Sequence, residues 1–87
     1  MKVLYTGRVQ GVGFRYTCKR VATCFDVVGT VRNLSDGRVE LIVEGDPDEL
    51  EEFREAIRNE GMGPLIRNEE VSWLEPEKSF RGFEIVG

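Results

Sequence analysis

The 87-residue chain has no histidine, and that one absence removes phosphohistidine transfer, imidazole zinc sites and the commonest general base. Cysteine is scarce as well: there are two, Cys18 and Cys24, and neither is followed six residues later by arginine, so the cysteine-phosphatase loop is missing. Both lie in a segment with helical periodicity, where six residues correspond to a rise of about 9 Å, beyond the roughly 7 Å between Cα atoms that a disulfide spans. Two free thiols fit a reducing compartment. No apolar run approaches the roughly 20 residues of a membrane helix, and the N-terminus lacks the hydrophobic core of a signal peptide. The expectation is a cytoplasmic protein without a membrane partner. Strand aromatics that stack RNA bases are lacking too, with Tyr5 the one candidate and core packing an equal account of it.

What is present is enough for one domain, residues 1–87, with a single core and a compact site. Its charge is uneven. Residues 1–40 carry seven Lys/Arg against three Asp/Glu, and residues 41–87 carry five against thirteen. A net acidic chain is a poor general binder of nucleic acid, yet its basic first half suits a small anion at one end.

Lys2 to Gly7 is rich in β-formers and reads as a strand with Val3 and Tyr5 on one face. Phe14, Cys18, Val21, Ala22 and Phe25 then make one helical stripe. Val27–Asn33 and Arg38–Gly45 read as a hairpin closed by Leu34-Ser35-Asp36-Gly37, with Val39, Leu41 and Val43 sharing a face. Asp46, Pro47 and Glu49 mark a helix start. Leu50, Phe53, Ala56 and Ile57 form that helix's buried stripe, and Gly61 ends it. Met62 to Asn68 reads as a loop, the alternation around Val71 and Trp73 as a strand reaching about Glu75, and Phe83–Val86 as a short last strand. The order β-α-β-β-α-β plus an extra C-terminal strand predicts a ferredoxin-like α+β sandwich: an antiparallel sheet with both helices on one face.

The acids offer no catalytic set. Asp46-Pro47-Asp48 imitates the D-x-D of aspartyl-phosphate enzymes, but proline and a helix start make capping the better account. Glu49, Glu51, Glu52 and Glu55 fall on the exposed side of an amphipathic helix and read as a solvated face, not a metal cluster.

The informative stretch is Gly7-Arg8-Val9-Gln10-Gly11-Val12-Gly13-Phe14-Arg15, a strand-to-helix turn holding three glycines and ending on arginine. Glycine permits positive φ and close approach of the backbone to a ligand. The following helix adds unpaired N–H groups and its positive dipole end, which suits an anion. Arg15 supplies a planar fork matched to phosphate or carboxylate oxygens. Alone, G-x-x-x-G-x-G is an ordinary turn, and Asn33 alone is an ordinary turn-former.

The whole nonapeptide, however, resembles the signature loop of the acylphosphatase family, enzymes that hydrolyse carboxyl-phosphate anhydrides. A second block, Gly29-Thr30-Val31-Arg32-Asn33 followed by Gly37-Arg38-Val39 and Gly45, is similar to the family's G-x-V-x-N-x-x-x-G-x-V-x-x-x-x-x-G pattern. Two departures are Thr30, where the family usually has an aromatic residue, and Tyr5, where a smaller aliphatic is more usual. The resemblance implies that the backbone amides of Gln10, Gly11, Val12, Gly13, Phe14 and Arg15 cradle the substrate phosphate, that the Arg15 guanidinium clamps it, and that Asn33 orients the attacking water. It implies hydrolysis of a small acyl phosphate by in-line attack, with no cofactor and no metal. Inorganic phosphate is then both product and competitive inhibitor, and the chain is expected to act as a monomer. The alternative from another class is a non-catalytic anion-binding module of the same fold.

Overall fold

Val3, Tyr5, Val31, Val39, Leu41 and Val43 are buried because side chains alternate across a strand and these six point to one face. The computed structural model, which describes residues 1–87, builds one sheet on that alternation. Its strands are β1 (Lys2–Gly7), β2 (Val28–Asn33), β3 (Val39–Glu44), β4 (Ile66–Ser72) and β5 (Phe83–Ile85), in the order β4-β1-β3-β2-β5. Helix α1 (Phe14–Ala22) follows β1, and α2 (Pro47–Ile57) follows β3. Phe14, Cys18 and Val21 of α1 and Leu50, Phe53 and Ile57 of α2 join the sheet residues in one core cluster. Both helices therefore cover the same face, and the arrangement is the expected ferredoxin-like sandwich.

The four longer strands are antiparallel neighbours, whereas β5 pairs parallel with β2 from Gly29↔Phe83 to Val31↔Ile85. The path of the chain explains this. β4 finishes with Ser72 opposite Lys2, residues 73–82 cross that end of the sheet, and β5 enters from the same end on the far edge. The Glu44 carboxylate holds the crossing by accepting from the backbone N–H of Glu77 at 2.6 Å and of Lys78 at 3.2 Å.

β4 corrects the sequence reading, which put a loop at Met62–Asn68 and a strand around Val71 and Trp73 reaching about Glu75. The strand starts at Ile66 and ends at Ser72, leaving Trp73 exposed beyond it. The apolar alternation is missing because Glu69 occupies the position opposite Tyr5. It is held there by Arg54, at 3.1 Å, and by Arg58. An ion-paired glutamate on the covered face of an edge strand carries no hydrophobic signal. Between α2 and β4 lie a wide π-type turn, Arg58–Met62, and a 3₁₀ turn, Gly63–Leu65.

Helix α1 stops at Ala22, so Phe25 packs against the core from the segment beyond it. Cys24 is also past the helix end. The thiols are nevertheless free, with Cys18 buried and Cys24 exposed. At the start of α2, Asp46 caps as expected, its carboxylate accepting from the Asp48 N–H at 3.0 Å, with Pro47 in the first turn. Thr30 alternates with buried Val31 onto the sheet face away from the helices. There Glu40 is held by Arg32 at 2.8 Å and Lys2 at 3.7 Å.

Candidate functional site

The chain leaves β1 at Gly7 and enters α1 at Phe14, and the six residues between make the turn. Three features fix it. Gly11 and Gly13 have φ of 74° and 82°, a left-handed backbone that a side chain strains, and a Cβ at either would meet no atom within 4 Å. Conformation, not crowding, calls for glycine here, and the space above both residues is open. Val9 is buried beneath the turn and anchors it to the core. Arg8 N–H donates to the Leu65 carbonyl at 2.9 Å, tying the loop's entry to the start of β4.

No backbone N–H from Gln10 through Arg15 donates to a main-chain carbonyl. Gly11 and Gly13 are exposed, the first N–H groups of a helix have no partner within it, and a run of such amides on a turn that opens a helix suits an anion. Thr17 helps to set one of them, that of Phe14. Its backbone N–H and its hydroxyl both donate to the Gly13 carbonyl, each at 3.0 Å. The peptide is planar and trans, so a Gly13 carbonyl held toward the helix turns the Phe14 N–H the other way.

Arg15 is half-buried and makes no ion pair, whereas Lys2, Arg20, Arg32, Arg38, Arg54 and Arg58 each hold a carboxylate. Its guanidinium is free for a ligand. It borders a depression shared with Tyr16, Lys19, Glu84 and Ile85, between α1 and β5. A separate cavity of about 180 Å³, lined by residues including Met1, Leu50 and Trp73, lies at the opposite end of β1.

Asn33 closes β2, opposite Val39 of β3, and its Oδ1 is buried without a hydrogen-bond partner. An orphaned buried acceptor costs stability, on the order of 1–3 kcal/mol, so its retention calls for an account. Gln10 connects it to the loop. The Gln10 side-chain amide donates to the carbonyls of Leu34, at 2.7 Å, and Arg38, at 2.9 Å, in the turn directly after Asn33. All the residues expected at the site thus belong to one end of the sheet. The roles of the Gln10 side chain and of Thr17 were not expected; Gln10 as the one uncharged polar residue in the loop was the available signal. No three His, Cys, Asp or Glu side chains gather to hold a metal.

The sequence model of the acylphosphatase family matches residues 1–85. The chain is 46% identical over 84 residues to a protein named acylphosphatase from Thermococcus kodakarensis, covering 93% of this chain and 88% of that one. It is 44% identical over 80 residues to the acylphosphatase of Salinibacter ruber, covering 92% and 84%. Among solved structures, the acylphosphatase from Bacillus subtilis superposes with a TM-score of 0.86 at 33% identity, covering 99% of this chain and 96% of that one.

Proposed function

Because the chain belongs to the acylphosphatase family and hydrolyses acyl phosphates to a carboxylate and inorganic phosphate, we propose that the Gln10–Arg15 amides hold the phosphoryl group while Arg15 clamps it and Asn33 orients the water. The observation that carries this reading is the run of backbone N–H groups from Gln10 to Arg15 that are given to no main-chain carbonyl, beside an arginine without an ion pair. The buried, unpartnered Asn33 Oδ1 is a ready acceptor for a water hydrogen.

The chemistry needs little else. A carboxylate is a stable leaving group, with a conjugate acid of pKa roughly 4, so no protein acid is required to expel it. Water bound at Asn33 attacks phosphorus in line. The phosphorus–oxygen bond to the acyl group breaks, its electron pair leaves on the carboxylate, and the water's proton passes to a phosphoryl oxygen or to solvent. The cradle and Arg15 stabilise the equatorial oxygens through which the charge passes. The reading includes no covalent intermediate and no metal, since the chain has no histidine, Glu51, Glu52 and Glu55 stand on the exposed face of α2, and Glu49 accepts from the Asp26 N–H at 2.9 Å. Inorganic phosphate presents the same oxygens to the same amides and is a competitive inhibitor. The free thiols support a cytoplasmic setting, and action as a monomer completes the proposal.

Phosphate release from benzoyl phosphate, measured for the wild type and for Asn33→Ala, tests the assignment. The variant should bind inorganic phosphate as the wild type does while kcat falls about 10²- to 10³-fold. An Asn33→Ala enzyme with undiminished kcat, merely less stable, would return Asn33 to the rank of turn-former.

A further inference from the structure

The two halves of the site grow from strands that do not touch. The cradle continues β1, Asn33 ends β2, and β3 lies between them in the sheet. Sheet hydrogen bonds therefore connect cradle and asparagine only through a third strand. Gln10 is the direct link. Its amide nitrogen gives one hydrogen to Leu34 O, 24 residues away, and the other to Arg38 O, 28 residues away, which is all that a primary amide can donate. Those two carbonyls are the ones that close the turn between β2 and β3: Arg38 O also accepts from Leu34 N at 2.8 Å, and Leu34 O from Gly37 N at 3.2 Å. The assignment of nitrogen and oxygen in the Gln10 amide follows from these neighbours, since two carbonyls accept and do not donate.

Resting on the site reading above, we propose that the Gln10 side chain is a positioning residue that sets the distance between the phosphate cradle and the Asn33-held water. It touches neither the phosphoryl group nor the water; it acts through the turn that carries Asn33. The cradle is made of main-chain amides and two left-handed glycines, so phosphate binding does not depend on this side chain. Alignment for attack does, and a displacement of about 1 Å costs on the order of 10²-fold in rate.

Gln10→Met retains the length and loses both donors. Gln10→Asn retains the amide and falls one methylene short, and as a polar loop residue it guards against misfolding of the first variant. Both should inhibit normally with inorganic phosphate, keep KM within about threefold, and lose about 10- to 100-fold in kcat. The deciding measurement is the double variant Gln10→Met/Asn33→Ala. If Gln10 acts through Asn33, the double variant turns over as slowly as Asn33→Ala and no slower, because the same alignment is lost once. Undiminished kcat in both Gln10 variants, losses that multiply in the double variant, or phosphate inhibition weakened as much as kcat/KM would each overturn the inference while leaving a slow Asn33→Ala intact. Full turnover by Asn33→Ala alone would overturn the site reading and this inference together.

Discussion

The ring of Tyr5, within β1, meets the ring of Phe14, the first residue of α1, edge to face, with centroids 4.7 Å apart and planes at 60°. The contact fastens the strand before the anion loop to the helix after it, so the loop is stretched between two points that cannot move independently. The Tyr5 hydroxyl is buried and has no partner, and its burial pushes the phenol well above the usual range.

Tyr5→Phe keeps the aromatic contact and removes an unsatisfied polar atom. It should leave kcat unchanged and raise stability by about 1 kcal/mol, read from urea unfolding. A loss of similar size would mean that the hydroxyl has a partner in solution.

Arg15→Lys retains the charge but not the two-pronged geometry. We expect kcat/KM to fall on the order of 10²- to 10³-fold and phosphate inhibition to weaken, with thermal unfolding unchanged. Wild-type kinetics would remove Arg15 from the site.

Glu69→Gln should cost about 2 kcal/mol, because it withdraws the charge shared by Arg54 and Arg58 from a site on the covered side of the sheet. The arginines keep their exposed partners Glu51 and Glu55, so the loss is partial. Activity per folded molecule should not change, and a selective fall in kcat would show that this network reaches the loop.

Thiol titration at pH 8 should count one reactive group in the native protein and two after denaturation. Burial pushes Cys18 up to about 12, so at pH 8 almost none of it is thiolate, whereas Cys24 is exposed. Modification of Cys24 should spare activity, since the nine residues of α1 separate it from the loop by roughly 13 Å. Two rapidly reacting thiols would mean that α1 opens readily.

Most of the fold is legible in the sequence because Val3/Tyr5, Val39/Leu41/Val43 and Leu50/Phe53/Ile57 each repeat with the period of one element. β4 escapes because what makes Glu69 tolerable on the covered face is a pair of arginines, Arg54 on α2 and Arg58 in the turn directly after it, and no local pattern encodes that pairing. The site divides in the same way. Glycines at positive φ and an arginine at a helix start are local chemistry and can be read from nine residues, and Asn33 becomes readable with the second block. The Gln10 amide cannot be read this way, because its acceptors are backbone carbonyls of a distant turn and leave no trace in residue type.

The order of strands also governs when the site comes into being. The hairpin of β2 and β3 closes over a few residues and delivers Asn33 by itself. β1 must then pair with β3 across a much longer span, Tyr5 opposite Val39, and closures between residues far apart in sequence are the slow ones in folding. Until that closure the cradle and the asparagine belong to separate pieces of chain. Turnover regained during refolding therefore times the docking of β1, and partly folded chains with a complete hairpin contribute none of it.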